Sequence, residues 1–470
     1  MPAVSTKLLA GGCLASLALL LGACGKEGGG APSGSGPEAP ASLPTKGESA
    51  PAPSLVPSGS AAAPSASAAA PPGDALSAKD LNVLVVSIDS VRSDRMPWAK
   101  YQHDVMPNLA KLAKSGATYE RFYATSSYTA KSLGGFLGGK YPSSMKRSGY
   151  FFASYPQDEI MFPELLQNAG VTTTSAQAHF YFAREKAGFH QGFDTWELIP
   201  GLKKSNTTDE NITSPEHTKM ALAQLDAASK KGGRFFAWYH LLDPHDQYIG
   251  HPEGKDFGKG APALYDGELF FTDMHLGKII DYVDAQPWGK KTAIIVTSDH
   301  GDAFGEHKMY RHGFELWDVL VHVPLVVRLP GAAPRTITEP RSMVDLAPTI
   351  LELFGVTKDP GMIGESLVSE VRGGPTPARD VIVDLPRTSD NDRRRALIRG
   401  KYKILAFGDD QGFQLYDVVA DPLEKDDLAK KDKATFEEMK KAYQEASKKI
   451  PQVCPKNTEK LKGKSKGKPC

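Results

Sequence analysis

Cysteine is nearly absent from this chain. Its 470 residues include four, at Cys13, Cys24, Cys454 and Cys470. None falls between residues 25 and 453, which excludes a thiol nucleophile, a thiolate metal site or a disulfide-stapled core from that span. An excess of either charge is also missing. The 56 basic and 55 acidic side chains leave a net charge of +1, so no global field gathers nucleic acid. The apolar run from Leu8 to Leu20 is too short to span a bilayer, and no repeat of 20–50 residues is evident. Large apolar groups are scarce from residue 25 to about 79, where Gly, Ala, Pro and Ser dominate. Such a segment cannot offset its ordering entropy. It reads as a disordered tether of about 55 residues, spanning roughly 40 Å root-mean-square.

What is present begins at the amino terminus. Lys7 followed by the apolar run has the layout of an export signal, and Leu21-Gly22-Ala23-Cys24 reads as a lipobox with Cys24 as the lipidated residue. A plain cleaved signal with a chance Cys is the alternative. Lipid on Cys24 anchors a chain to a membrane without spanning it. By analogy with sorted bacterial lipoproteins, Gly25 favours the outer membrane, with the body facing the periplasm or the surface. The Lys-rich end, Lys456–Lys468, reads as a solvated tail, and weak contact with anionic lipid or polysaccharide is its alternative reading. Cys454 and Cys470 could pair in an oxidising compartment. The expected organisation is a signal peptide over 1–23, a tether over 24–79, a catalytic α/β domain over 80–375, an α+β subdomain over 376–450 and a basic tail over 451–470.

Within the body, strand-like and helix-like runs alternate, the pattern of a parallel sheet. Val83–Ile88, Val171–Ala176, Phe235–Leu241, Ala293–Val296 and Val323–Leu329 read as strands. Val344–Phe354 reads as a helix stopped by Gly355. From Arg379 the runs shorten to hairpin spacing and end in a helix over Phe436–Ile450. The fold class is therefore α/β, a mostly parallel central sheet flanked by helices, with a small antiparallel lobe and a terminal helix. Two strands end in acid: Asp89 follows the first, and Asp299-His300-Gly301 follows Ala293–Val296. Carboxylates at the carboxyl edge of such a sheet occupy its usual site position.

The order of motifs resembles the sulfatase family within the alkaline-phosphatase superfamily, from about Asn82 to Leu428. Asn82–Asp94 is similar to its opening strand and metal carboxylate, and Leu137–Pro142 to the end of its nucleophile helix. Asp243–Tyr248 resembles its active-site histidine motif, and Thr297–His307 its second metal segment. His312-Gly313 with Val323-Pro324-Leu325, Asp345–Thr349, and Leu415–Asp417 with Asp421–Glu424 resemble further family markers. The resemblance implies an alkaline-phosphatase-like fold and hydrolysis of sulfate or phosphate esters.

Two departures from that pattern matter. Counting back from Tyr141-Pro142, the position of the family's modified Cys falls on Thr129, and Leu133 stands where Arg is expected. Ser90 replaces the second carboxylate of the usual Asp-Asp pair. The arrangement resembles the Thr-nucleophile branch, which includes phosphoethanolamine and glycerol-phosphate transferases of the bacterial envelope. The implied metal ligands are Asp89, Thr129, Asp299 and His300. Two carboxylates, an imidazole and a hydroxyl suit Zn²⁺ or Mn²⁺ better than Ca²⁺, and His307 could hold a second ion or merely orient its loop. A hydroxyl beside such a cation ionises more readily, making Thr129 the candidate nucleophile. The alternatives are a buried helix-start residue, with Ser127 or Ser132 in its place. Lys131 is a candidate for neutralising substrate oxygens. His245 and His312 are candidate acids or oxyanion donors, and His179 and His307 candidate substrate contacts. The expected partners are a small-molecule or glycan ester and, through the lipid, a membrane. A headgroup transferase and an inactive anionic-glycan-binding lipoprotein remain as alternatives.

Overall fold

The computed structural model describes residues 81–202, 212–388 and 390–455. The signal, the tether, Cys24, the basic tail from residue 456 and Cys470 lie outside the described residues. The central sheet begins with β1 (Asn82–Ile88), β2 (Ala117–Tyr123), β3 (Thr172–Gln177), β4 (Thr195–Leu198), β5 (Phe235–Leu241) and β6 (Thr292–Ser298). A short hairpin of β7 (Ala303–Phe304) and β8 (Tyr310–Arg311) follows. The sheet is completed by β9 (His322–Arg328), β10 (Arg335–Ile337) and β11 (Arg341–Ser342). The order is β10-β2-β9-β6-β1-β5-β3-β4, with β11 also on β2.

Strands β6, β1, β5, β3 and β4 pair in parallel, as the long apolar runs predict. Strand β9 departs from that expectation and runs antiparallel to both β6 and β2. A parallel return needs a crossover, usually a helix. Residues 299–321 supply only the small hairpin and short helical turns, among them Asp318–Val321. The chain therefore turns at the carboxyl edge and runs back.

The main helices are α1 (Pro107–Ala113), α2 (Thr129–Gly138), α3 (Phe162–Asn168), α4 (Ser214–Lys230) and α5 (Ala261–Ala285). The sheet separates two cores by strict alternation. Val83, Val85, Phe236, Trp238, Ala293 and Ile295 pack with α2, α3 and the helix Leu346–Leu353. Leu84, Val86, Ala237, Tyr239, Ile294 and Val296 pack with α1, α4 and α5. Both faces are apolar, so these strands are buried throughout. The same alternation carries Ser87, Asp89, His240 and Asp299 to the α2 side.

The second sheet is antiparallel, β12 (Val381–Leu385), β13 (Arg394–Arg399), β14 (Tyr402–Phe407) and β15 (Gly412–Asp417). Its Ile382, Leu397 and Ile404 pack on the terminal helix Lys433–Lys448. Its opposite face, through Val383, Ile398 and Leu405, packs on residues 316–321. Lys403 seals that junction: Nζ lies 3.1 Å from Asp318 Oδ1 and 2.9 Å from Glu424 Oε1, all three side chains being buried. Replacing Lys403 by Met leaves two buried carboxylates facing each other. The expected loss is about 3–5 kcal/mol, read from the midpoint of chemical unfolding; a loss under ~1 kcal/mol would contradict the pairing.

Candidate active site

The register pairs Ile88 with Ser298, so Asp89 and Asp299 leave neighbouring strands side by side. His300 follows Asp299, and Gly301 then turns against another loop. A Cβ on Gly301 would lie 2.1 Å from the Val319 carbonyl oxygen, and Gly301 N–H donates to Leu320 O at 2.8 Å. Only glycine allows that approach. Thr129 is the first residue of α2. In the middle of that helix, a Cβ on Gly134 would collide with the Tyr155 hydroxyl at 2.1 Å.

These elements bring four groups together. Thr129 Oγ1 is 3.0 Å from His300 Nε2 and 3.4 Å from Asp89 Oδ2. His300 Nε2 is 3.4 Å from Asp299 Oδ2 and 3.7 Å from Asp89 Oδ1. Ligand atoms of Asp89, Asp299 and His300 lie within 4.8 Å of one another. The Gly301 carbonyl accepts from His300 Nδ1 at 3.0 Å, which turns the Nε2 lone pair toward the cluster. Burial, then the neighbouring His312, pushes the His300 imidazole down to about 3, so the ring is neutral. Burial, then the charge of Asp89, pushes Asp299 up to about 7. Burial would raise Asp89 too, but His245, His240 and His300 outweigh it and hold that carboxyl well below its usual range.

Asp299 Oδ1 accepts from the main-chain N–H of Ser90 and of His300, whereas the buried Oδ2 has no hydrogen-bond partner. An orphan carboxylate oxygen beside a second carboxylate and a neutral imidazole is what a divalent cation would satisfy. The donor set fits such an ion. Among the described residues, this is the one cluster of at least three His, Cys, Asp or Glu with that spacing.

Ser90, in the position where the resemblance implies a carboxylate, braces the pair instead. It adopts φ +60° and donates its hydroxyl to Asp89 Oδ1 at 2.6 Å. His240 Nε2 lies 3.2 Å from Asp89 Oδ2. Its Nδ1 lies 2.9 Å from Ser87 Oγ, which accepts from Trp238 Nε1–H at 2.9 Å.

A cavity of about 360 Å³ opens over Thr129, and His179, His245 and His312 line it. The His312 ring stacks near His300, centroids 4.2 Å apart, and lies 5.1 Å from His245. Asp302 Oδ1 is 3.5 Å from His312 Nδ1, and Asp302 is in turn held by the Tyr248 hydroxyl. His179 Nδ1 accepts from Tyr181 N–H at 3.1 Å, tying the ring to the cavity wall.

Two expected site residues are elsewhere. Lys131 does not reach the cavity. Two positions after Thr129 on a helix of 3.6 residues per turn, it projects from a different face. It is fully buried, its Nζ donates to Phe151 O at 2.5 Å, and burial lowers it to about 7. His307 sits at φ +52°, is stacked 3.7 Å over Trp317 and lies 3.0 Å from Leu423 O. It holds its loop against Trp317, the alternative reading of this residue, and among the described residues it belongs to no cluster of three or more potential ligands. Replacing His307 by Ala should leave kcat/KM within about twofold; a drop beyond tenfold would return it to the site.

The residues that sequence reasoning left out of the site are His240, Asp302, Tyr248 and the aromatic side chains of the cavity wall. His240, which alternates with apolar neighbours, reads from the sequence as a core or supporting group, and it is buried on the face of Trp238 and Phe236, 3.2 Å from Asp89 Oδ2.

Residues 81–356 match the family model described as Sulfatase, and residues 305–451 match N-sulphoglucosamine sulphohydrolase, C-terminal. The chain belongs to the sulfatase family and is a sulfuric ester hydrolase by class. It is 23% identical to the choline-sulfatase of Rhizobium meliloti, over 77% of this chain and 86% of that protein. Matches to the uncharacterized sulfatase YidJ of Escherichia coli and to arylsulfatase K of Mus musculus are partial, spanning 24% and 37% of those proteins. Among solved structures, BT4656 in complex with D-glucosamine-2-N,6-O-disulfate superposes with a TM-score of 0.67 at 18% identity, covering 79% of this chain and 98% of that one. The phosphonate monoester hydrolase of Agrobacterium radiobacter superposes with a TM-score of 0.61 at 19% identity, covering 79% and 95%.

Proposed function

We propose that this chain hydrolyses sulfate monoesters with Thr129 as nucleophile. The observation that carries this is the position of Thr129 Oγ1 between His300 and Asp89 at the start of α2. Asp89, Asp299 and His300 would hold a divalent cation, with Zn²⁺ or Mn²⁺ favoured over Ca²⁺ by the imidazole and the loss of a carboxylate at Ser90. Bound there, the cation supplies positive charge beside the Thr129 hydroxyl and the substrate oxygens.

The remaining work falls to the protein. The amino terminus of α2 favours an anion in front of Thr129. Oγ1 releases its proton to solvent as it attacks sulfur, forming a Thr–O–S bond while the bond between sulfur and the leaving oxygen breaks. His245 or His312 gives that oxygen its proton. Threonine carries one hydroxyl, so the sulfated side chain has no second oxygen from which to expel sulfate. Water must attack sulfur, giving one proton back to the same histidine, while the bond between sulfur and Oγ1 breaks and Oγ1 regains a proton from solvent. Asp302 keeps His312 oriented for both steps.

We further propose that Cys24 is lipidated and tethers the body to a bacterial envelope membrane. Among the described residues, no helix is long and apolar enough to cross one. Replacing Cys24 by Ser should move the protein from the membrane pellet to the soluble fraction. The catalytic reading is tested by metal analysis of the purified protein with a panel of sulfate monoesters, phosphate monoesters and phosphodiesters. Sulfate release dependent on Thr129 supports it. Turnover confined to phosphodiesters, or unaffected in Thr129→Ala, overturns it.

A further inference from the structure

The register of β1 on β5 sets Ser87 opposite His240 and Val85 opposite Trp238, and strand alternation puts Trp238, Ser87, His240 and Asp89 on one face. None of these four residues is more than 1% exposed. A buried polar row has to place its hydrogens on acceptors. Trp238 Nε1–H can only donate, and it donates to Ser87 Oγ at 2.9 Å. Ser87 Oγ lies 2.9 Å from His240 Nδ1, and His240 Nε2 lies 3.2 Å from Asp89 Oδ2. At the far end, the Asp89 carboxylate can only accept.

One assignment of protons satisfies the whole row. The indole donates to Ser87, the Ser87 hydroxyl donates to Nδ1, and the proton on Nε2 goes to Asp89. The other neutral tautomer puts Nδ1–H and the indole N–H on the same Ser87 oxygen. It also turns a bare Nε2 lone pair onto Asp89 Oδ2 and onto Asp299 Oδ2, the latter 3.8 Å away, so that acceptor faces acceptor. With its proton on Nε2, His240 has no lone pair to offer a cation there. It holds Asp89 instead. Oδ2 is engaged by His240 and Oδ1 by the Ser90 hydroxyl at 2.6 Å, so the carboxylate cannot turn without losing one of the two bonds. A carboxylate engaged at both oxygens presents its remaining lone pairs in set directions.

We infer that His240 is a positioning residue: the Trp238–Ser87 row fixes its tautomer, and its Nε2–H aims the Asp89 carboxylate at the cation site and at Thr129. The inference rests on the proposed cation site and deepens it. Thr129 Oγ1 lies 3.4 Å from the same Asp89 Oδ2, so the direction of that oxygen bears on the nucleophile as well. The role differs from that of a ligand. Removing His240 leaves Asp89, Asp299 and His300 in the pocket and costs about 10–100-fold in cation affinity, the scale of a lost supporting group.

The first test is the ring itself. Nuclear magnetic resonance of the full chain carrying isotope-labelled histidine reports which ring nitrogen holds the proton, and the signals of His240 are those absent from His240→Gln. A proton on Nε2 and none on Nδ1 is the expected result. A proton on Nδ1, alone or together with Nε2, overturns the inference. The second test is equilibrium dialysis with Zn²⁺, without substrate. Asn places its amide near the position of Nδ1, whereas Gln reaches that of Nε2. His240→Asn should therefore weaken Zn²⁺ binding about 10–100-fold, while His240→Gln, which keeps a donor for Asp89, should stay within about threefold of the wild type. Unchanged affinity in His240→Asn, or equal losses in the Asn and Gln variants, overturns the inference and leaves the cation site intact. Should His240→Asn fail to fold, the wild-type tautomer decides. If the wild type binds no Zn²⁺, the cation reading fails, and the tautomer again decides this one: Nε2–H retains the hold on Asp89, and Nδ1–H removes it.

Discussion

Replacing Thr129 by Ala should abolish sulfate release, with a fall in kcat on the order of 10⁴-fold or more, the scale seen when a covalent nucleophile is removed. The methyl group fits the first turn of α2, so the unfolding midpoint should hardly move. Thr129→Ser keeps the hydroxyl and should retain activity within about tenfold. The contrast between the two variants isolates the oxygen from the volume of the side chain. Rapid quenching with substrate should leave one sulfate-sized mass increment on the peptide containing Thr129, absent from the Ala variant. Equal rates in wild type and Thr129→Ala would transfer the role to another group, with Ser127 and Ser132 the neighbouring hydroxyls.

Replacing Asp299 by Asn should be nearly as damaging, for a different reason. The Oδ1 position keeps its two main-chain donors, from Ser90 and His300, so the loop is held. The orphan Oδ2 loses its negative charge. Affinity for a divalent cation should fall at least 100-fold, beyond the ~10–100-fold seen when only a supporting residue is changed. Equilibrium dialysis with Zn²⁺ or Mn²⁺ measures this directly, without substrate. Chelation should mimic the loss in the wild type, and readdition of the ion should reverse it. Full cation affinity in Asp299→Asn would dismantle the ligand set.

Much of this arrangement is readable in the chain. Long apolar strands announce a buried parallel sheet, and acids at their ends announce an edge site. The placement of Asp89, Asp299, His300 and Thr129 follows from those strands and one helix start. Other parts follow rules that act at longer range. Lys131, a candidate for neutralising substrate oxygens, is turned away from the cavity because helical periodicity separates its side chain from that of Thr129. For His307 the sequence leaves ligand and loop-orienting roles open, because no local pattern signals the left-handed backbone that turns it onto Trp317. The direction of β9 depended on what residues 299–321 fail to contain, a crossover helix. The aromatic wall arises from the 151–152 loop, which has no periodic signature, meeting Phe314 from the far side of the cavity. His240 was legible in principle, since counting alternate residues along β5 puts it beside the acid of β1.

That alternation has a consequence for how the sequence can vary. Removing or inserting one residue between Asn82 and Ile88 would exchange the two faces of β1. Asp89 would then swing toward α1 and α5, away from Thr129, while Leu84 and Val86 faced the wrong core. Length changes are therefore confined to the loops beyond the strands, and any homologue with an indel inside β1 should have lost the meeting of this acid with the Asp299-His300 pair, however similar its remaining residues.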